Sequence, residues 1–178
     1  QHDGGVVGAR GEAPMSAVVA PRPAGGPGGL ALRAMTLSDL GGVMALEAQA
    51  YSHPWSHGNF VDSLAAGHLA EVLQGEQLLG YFVALVGVDE LHLLNLTVAP
   101  ASQGLGLGSA LLEAVLDRAC TRHLASVWLE VRASNERAMA LYVRRGFVVV
   151  GRRRGYYPAA EGREDAILMS RNVAAPSA

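Results

Sequence analysis

The sequence predicts an α/β domain built on a mixed, mostly antiparallel sheet of about seven strands flanked by helices. Three observations carry this. Residues 68–74, 77–88 and 90–98 are consecutive β-rich stretches separated only by Gly75-Glu76 and the Val88-Asp89 corner, the pattern of an antiparallel meander. Residues 107–119 switch to a helical period behind a run of glycines. Beyond them strand and helix alternate, so meander and βαβ units share one sheet.

The elements follow in order. Leu30 to Ala34 reads as a short strand. Thr36 and Asp39 offer helix-starting side chains ahead of Leu40, Val43, Met44 and Leu46, whose spacing predicts a helix to about Ala50. Ser56, behind Pro54 and Trp55, caps a second short helix with Phe60, Val61 and Leu64 on its apolar face, ending near Gly67. After the meander Pro100 stops the strand. Leu107, Leu111, Leu112, Val115, Leu116 and Ala119 then form one face of a long helix, with Glu113, Asp117 and Arg118 turned elsewhere. Val127 to Val131 is a strand, Asn135 to Arg145 a helix ended by Gly146, and Phe147 to Arg154 and Glu164 to Arg171 the last two strands.

A chain of 178 residues has room for one core of ordinary size. Half the residues are hydrophobic and 17% are charged, below the usual share of about 25%, as a well-filled core requires. Residues 1–29 hold eight glycines, four prolines and five alanines with no Leu, Ile or aromatic residue, and predict a disordered N-terminal tail. The domain is then 30–172, with 173–178 as a C-terminal tail. A net charge of -2 argues against nucleic acid as the partner. No apolar run approaches the roughly 18 residues that span a bilayer. The single cysteine, Cys120, excludes an internal disulfide and is expected to act as a small buried hydrophobe. A cytoplasmic monomer is the expectation. Every basic residue is arginine, which excludes lysine nucleophiles, Schiff bases and phosphate-loop lysines.

Between strand and helix lies Gln103-Gly104-Leu105-Gly106-Leu107-Gly108-Ser109, where backbone N-H groups can converge on an anion beside the positive end of the helix dipole. A phosphate-bearing ligand suits such a turn. The dinucleotide fingerprint is absent, because a third glycine would fall on Ser109 or on Leu111. The competing reading is a tight turn and nothing more.

The spacing Gln-x-x-Gly-x-Gly across Gln103, Gly106 and Gly108 resembles the acetyl-CoA pyrophosphate loop of the GNAT N-acetyltransferases. The resemblance narrows to their RimI type, the ribosomal-protein-alanine N-acetyltransferases, through Pro54-Trp55-Ser56, the Glu130-Val131-Arg132-Ala133-Ser134-Asn135 run, Leu141-Tyr142, Gly146-Phe147, Tyr156-Tyr157-Pro158 and Arg163-Glu164-Asp165-Ala166. It implies acetyl-CoA as co-substrate, no metal, and as acceptor the N-terminal alanine of small-subunit ribosomal protein number eighteen. It further implies that the backbone of Leu96, Thr97 and Val98 pairs with the pantetheine arm, and that residues 103–109 hold the pyrophosphate. By the same resemblance Asn135 is expected to contact the cofactor, alongside its other reading as a helix cap, and Pro54, Trp55, Tyr156 and Tyr157 to wall the acceptor groove, with core packing as the competing reading.

Transfer from a thioester to an amine needs a base for the amine and an acid for the departing thiolate. Glu130 lies in an apolar strand, where burial raises a carboxyl's pKa toward neutrality; by alternation it shares a face with Trp128 and Arg132. Residues alone leave it open between a base and a partner of Arg132. The resemblance makes Glu130 the base and Tyr142 the acid. Tyr142 otherwise reads as a helix tyrosine packing beside Phe147. Arg152 to Arg154 is a solvated strand end or a contact for phosphate. His53 and His57, with a proline and tryptophan between them and no HExxH pattern, are read as loop and cap residues rather than metal ligands.

Overall fold

A computed structural model describes residues 29–173; residues 1–28 and 174–178, where the two tails are expected, lie outside the described residues. A seven-stranded sheet runs β1 (Ala31–Ala34), β2 (Leu69–Gln74), β3 (Leu78–Val86), β4 (Glu90–Val98), β5 (Ser126–Arg132), β6 (Val148–Pro158) and β7 (Arg163–Asn172), in spatial order β1-β2-β3-β4-β5-β7-β6. Among the described residues only β4 and β5 pair in parallel. Four helices flank it: α1 (Leu40–Ala50), α2 (His57–Ala65), α3 (Leu107–Thr121) and α4 (Glu136–Arg144).

Strand alternation sorts the apolar side chains into two cores. On one face Val72, Tyr81, Val83 and Leu94 meet Leu40 and Val43 of α1 and Phe60 of α2. On the other, Phe82, Leu91, Leu93, Leu96, Val127, Leu129 and Val131 meet α3 and α4. Fully buried leucines such as Leu96, Leu112 and Leu141 each contribute roughly 1.5–3 kcal/mol of transfer free energy.

β4 carries the irregularity that matters for the site. Its pairing with β3 jumps from Ala84↔Leu93 to Val83↔Asn95, so Leu94 is an extra residue bulged out of the ladder. A one-residue insertion reverses the faces of everything after it. Leu91 and Leu93 point toward α3, whereas Asn95 and Thr97 turn to the α1 face while Leu96 and Val98 enter the α3 core. The parallel ladder with β5 also stops there. It runs from Glu90↔Ser126 to Leu93↔Leu129, after which β4 stays with β3 and β5 stays with β7. A wedge opens between Leu94–Val98 and 130–132.

Three details differ from the sequence reading. β6 continues to Pro158, because Gly155 takes φ +56° and the strand resumes past an irregularity between Arg153 and Tyr157. Tyr156 and Tyr157 therefore stand on a strand. Cys120 is half-buried rather than fully packed, since its stretch of α3 nears the end of the helix. Val173, expected in the C-terminal tail, donates its N-H to Ala125 at 2.8 Å and packs on the core.

Candidate active site

The glycine turn stands at one end of the wedge. After Pro100–Ser102, a single turn of 3-10 helix, Gln103 donates its side-chain amide to the Val98 carbonyl at 3.5 Å. Gly104 and Gly106 adopt φ +83° and +78°, the left-handed region open to glycine at little cost. Gly106 caps α3, and the Ala110 N-H closes the first helical bond onto its carbonyl at 3.1 Å. The N-H groups of Leu107, Gly108 and Ser109 precede that bond and have no carbonyl one turn back within the helix. With the helix dipole behind them they can receive an anion. Gly108 and Ser109 are buried, and Leu105 is exposed on the outside of the turn.

Glu130 lies in the middle of β5, opposite Leu168 of β7, and is 6% exposed. Arg132 is not its partner. Arg132 donates to Glu164 Oε1 at 2.6 Å and to the Pro158 carbonyl at 2.8 Å, with its guanidinium 4.5 Å from the centroid of the Tyr157 ring. Glu130 Oε1 instead faces Arg153 Nε at 3.3 Å, and Oε2 is buried with no hydrogen-bond partner among the described residues. Burial pushes the Glu130 carboxyl above the usual carboxylate range, against the opposing pull of Arg153, a Tyr156 hydrogen bond and His92. A cavity of about 240 Å³ opens beside it, lined by His92, Trp128, Arg153 and Leu168.

Tyr142 follows on α4. Its ring packs edge-on to Phe147 at 5.7 Å, as the simple packing reading requires. Its hydroxyl, however, is buried without a hydrogen-bond partner among the described residues, and burial alone raises its pKa. Tyr142 therefore stays protonated through the neutral range. Asn135 caps α4, its Oδ1 accepting from the Ala138 N-H at 3.1 Å, and lines a second, larger cavity of about 510 Å³.

That cavity lies between the α1–α2 loop, the β5–α4 turn and the β6–β7 turn. Its walls include Tyr51, Ser52, His53, Arg132, Asn135 and Pro158. Trp55 is not among them: it is 4% exposed and packs tilted against Phe60, ring centroids 5.0 Å apart, in the α1–α2 core, while Pro54 beside it is exposed. Tyr156 and Tyr157 pack edge to face at 5.0 Å; Tyr156 is half-buried and Tyr157 is buried under Arg132. His53 sits 3.1 Å from the Ser52 hydroxyl on the cavity wall, and His57 opens α2 behind the Ser56 cap. Among the described residues no group of three or more His, Cys, Asp or Glu side chains could hold a metal ion. None of their helices is long and apolar enough to cross a membrane.

One buried residue escaped the sequence reading. Glu47 of α1 is fully buried and accepts from the Trp55 N-H at 2.9 Å, the Tyr81 hydroxyl at 2.6 Å and the Asn95 amide at 3.1 Å. The signal was its position seven residues after Leu40 and four after Val43, on the same helix face as both.

A split parallel pair, a glycine turn at a helix N-terminus, and a buried carboxyl oxygen and a buried phenol hydroxyl without hydrogen-bond partners among the described residues form an arrangement suited to acyl transfer from an extended, phosphate-bearing donor. Residues 40–147 match the acetyltransferase (GNAT) family, and the chain belongs to it. It is an acetyl-CoA-dependent N-acetyltransferase. The chain is 39% identical over 140 residues to the [ribosomal protein bS18]-alanine N-acetyltransferase of Escherichia coli strain K12, covering 78% of this chain and 95% of that one. It is 30% identical over 142 residues to the putative enzyme of the same name from Bacillus subtilis strain 168, covering 78% and 93%. The crystal structure of the E. coli ribosomal-protein-S18-alanine N-acetyltransferase superposes with a TM-score of 0.78 at 37% identity, over 83% of this chain and 96% of that one.

Proposed function

We propose that this enzyme moves the acetyl group of acetyl-CoA to the α-amine of the N-terminal alanine of ribosomal protein bS18, directly, with Glu130 as base and Tyr142 as acid. The relatives supply the acceptor. The observation that carries the chemistry is the pair of buried atoms Glu130 Oε2 and Tyr142 Oη, on consecutive elements that flank the wedge, neither with a hydrogen-bond partner among the described residues. Burying such groups unpaired costs about 1–3 kcal/mol each, a cost met when a reacting group completes the bond.

In this reading Leu96, Thr97 and Val98 lie along the pantetheine arm, residues 103–109 receive the pyrophosphate, and Asn135 contacts the cofactor. The split ladder supports this, since a strand edge released from its neighbour can pair with an extended ligand. The thioester supplies an acetyl group activated for attack. Glu130 takes the proton from the amine as its electron pair forms the C–N bond, and Tyr142 gives its proton to the sulfur as the C–S bond breaks. A protein α-amine titrates near 7.7–8.0 and lysine near 10.4, a difference of about 3.5 kcal/mol in deprotonation. One carboxylate with a raised pKa suits the first acceptor better than the second. Ribosomal protein as acceptor places the reaction in the cytoplasm.

The test offers acetyl-CoA and a peptide bearing both a free N-terminal alanine and an internal lysine, with fragment mass spectrometry to locate the acetyl group. Acetyl on the alanine nitrogen is expected. Acetyl on lysine alone overturns the acceptor assignment, and no acetylation overturns the peptide acceptor altogether.

A further inference from the structure

Glu47 sits at the head of a directed chain of hydrogen bonds. Its Oε2 accepts from the Asn95 amide nitrogen at 3.1 Å. Asn95 must then turn its Oδ1 the other way, and there it accepts from the Thr97 hydroxyl at 2.8 Å. The Thr97 proton is spent on that bond. The Tyr51 hydroxyl donates to the Leu96 carbonyl at 3.0 Å and stands 2.9 Å from Thr97 Oγ1, which, its own proton committed to Asn95, can only share the Tyr51 proton. Tyr51 lines the 510 Å³ cavity. The circuit closes through the main chain, where the Tyr51 N-H donates to the Glu47 carbonyl at 3.2 Å.

A carboxylate only accepts. Placed at the head, it fixes the direction of every bond behind it and leaves the Tyr51 proton aimed at β4. Its other oxygen receives the Trp55 N-H at 2.9 Å, which pins the far end of the loop carrying Tyr51, Ser52 and His53. The Leu94 bulge is what brings Asn95 and Thr97 onto this face at all.

We infer that Glu47 is a positioning residue for the transfer: through Asn95, Thr97 and Tyr51 it locks the α1–α2 loop, the wall of the acceptor cavity, to the post-bulge segment of β4. The inference rests on the proposed peptide transfer and takes this cavity, between the α1–α2 loop, Asn135 and the Pro158 turn, as the place where the acceptor amine enters. A ligand that enters between loop and strand meets a pre-set wall rather than a floppy one, which favours productive orientation of the amine.

The isosteric Glu47→Gln isolates polarity from volume. An amide nitrogen in place of either oxygen confronts the Trp55 N-H, or reverses the chain so that Thr97 donates to Tyr51. Steady-state kinetics on the alanine peptide are measured alongside acetyl-CoA binding by calorimetry, with far-ultraviolet circular dichroism as the check on folding. The expected result is a peptide KM raised at least about tenfold, the order set by one hydrogen bond to a charged group, with acetyl-CoA affinity within about twofold of wild type. Tyr81→Phe removes one donor to Glu47 and keeps the ring in the core; it should raise peptide KM in the same direction by a smaller factor. A folded Glu47→Gln enzyme with wild-type peptide KM overturns the inference. If Glu47→Gln does not fold, wild-type peptide KM in Tyr81→Phe overturns it. Failure of the wild-type enzyme to use the alanine peptide is a different result, and sinks the acceptor assignment instead.

Discussion

Arg153 of β6 reaches across β7 to place its Nε 3.3 Å from Oε1 of Glu130 on β5. The guanidinium is half-exposed while the carboxylate is buried, so one strongly desolvated base is restrained by a partly screened cation. Burial raises the Glu130 pKa and Arg153 lowers it, with burial prevailing.

In the proposed mechanism Glu130 must be deprotonated to accept the amine proton, so kcat/KM should rise with pH through a value above the ordinary carboxylate range. Arg153→Ala removes the lowering influence. The acid limb of the pH profile should move to higher pH, a shift limited by the solvent screening of the half-exposed guanidinium. A limb that stays in place or moves down would show that Arg153 does not tune the base.

Tyr142→Phe keeps the contact with Phe147 and deletes only the buried hydroxyl. Turnover should fall on the order of 10²-fold, the usual share of a general acid, with acetyl-CoA affinity unchanged. Glu130→Gln should fall at least as far. Because burial holds the Tyr142 pKa above its ordinary value, the wild-type enzyme should lose no activity through ionisation of this tyrosine below about pH 10. Wild-type turnover in Tyr142→Phe under single-turnover conditions would remove it from the chemistry.

Gly80 of β3 pairs with Val98, and a Cβ there would stand 2.6 Å from the Thr97 carbonyl and 3.0 Å from Leu111 Cδ1. Gly80→Ala should cost about 1–3 kcal/mol in chemical denaturation, as overpacking does, and weaken acetyl-CoA binding by displacing the strand edge that faces the wedge. Gly41→Ala, whose Cβ meets nothing within 4 Å on α1, is the control and should be neutral or stabilising. Equal stability in the two variants would refute the close-approach argument.

Asp39 receives both guanidinium nitrogens of Arg33, at 2.9 and 2.8 Å, and the Thr36 N-H at 2.8 Å. The Arg33 hydrogen bond is the main cause that lowers its pKa from 3.8 to about 2. A carboxyl depressed on folding stabilises the protein above its unfolded value, and that contribution disappears as pH falls from 3.8 to about 2. Asp39→Asn should therefore lower Tm at neutral pH and narrow its gap from wild type toward pH 2. A gap independent of pH would place the Asp39 contribution elsewhere.

Much of this was legible in the sequence because it rests on local rules. Alternation put Glu130 on the face of Trp128 and Arg132, and Ser56 and Asn135 are the helix caps their residue types suggested. What was not legible depends on partners distant in sequence. Whether Glu130 meets Arg132 or Arg153 is decided by the order β5-β7-β6 and by Glu164 claiming Arg132. Trp55 turned inward because Phe60, one turn into α2, offers it a ring to pack on. Glu47 was passed over because a carboxylate on an apolar face reads as solvent-exposed until Tyr81 and Asn95, from two other strands, arrive to receive it.

The short β4–β5 ladder has a thermodynamic corollary. Four residue pairs, with the Ala125 N-H donating to Asp89 at 2.7 Å beside them, join β4 to β5 among the described residues, so the sheet's backbone ladder is short at this seam and the shared core carries the rest. A donor lying along the open part of the seam completes it. If it does, amide hydrogens of β5 should exchange more slowly with acetyl-CoA present, and the melting temperature should climb with its concentration as for any ligand that binds the folded state alone. In the proposed reading, capturing the donor also extends the sheet's ladder across its short seam.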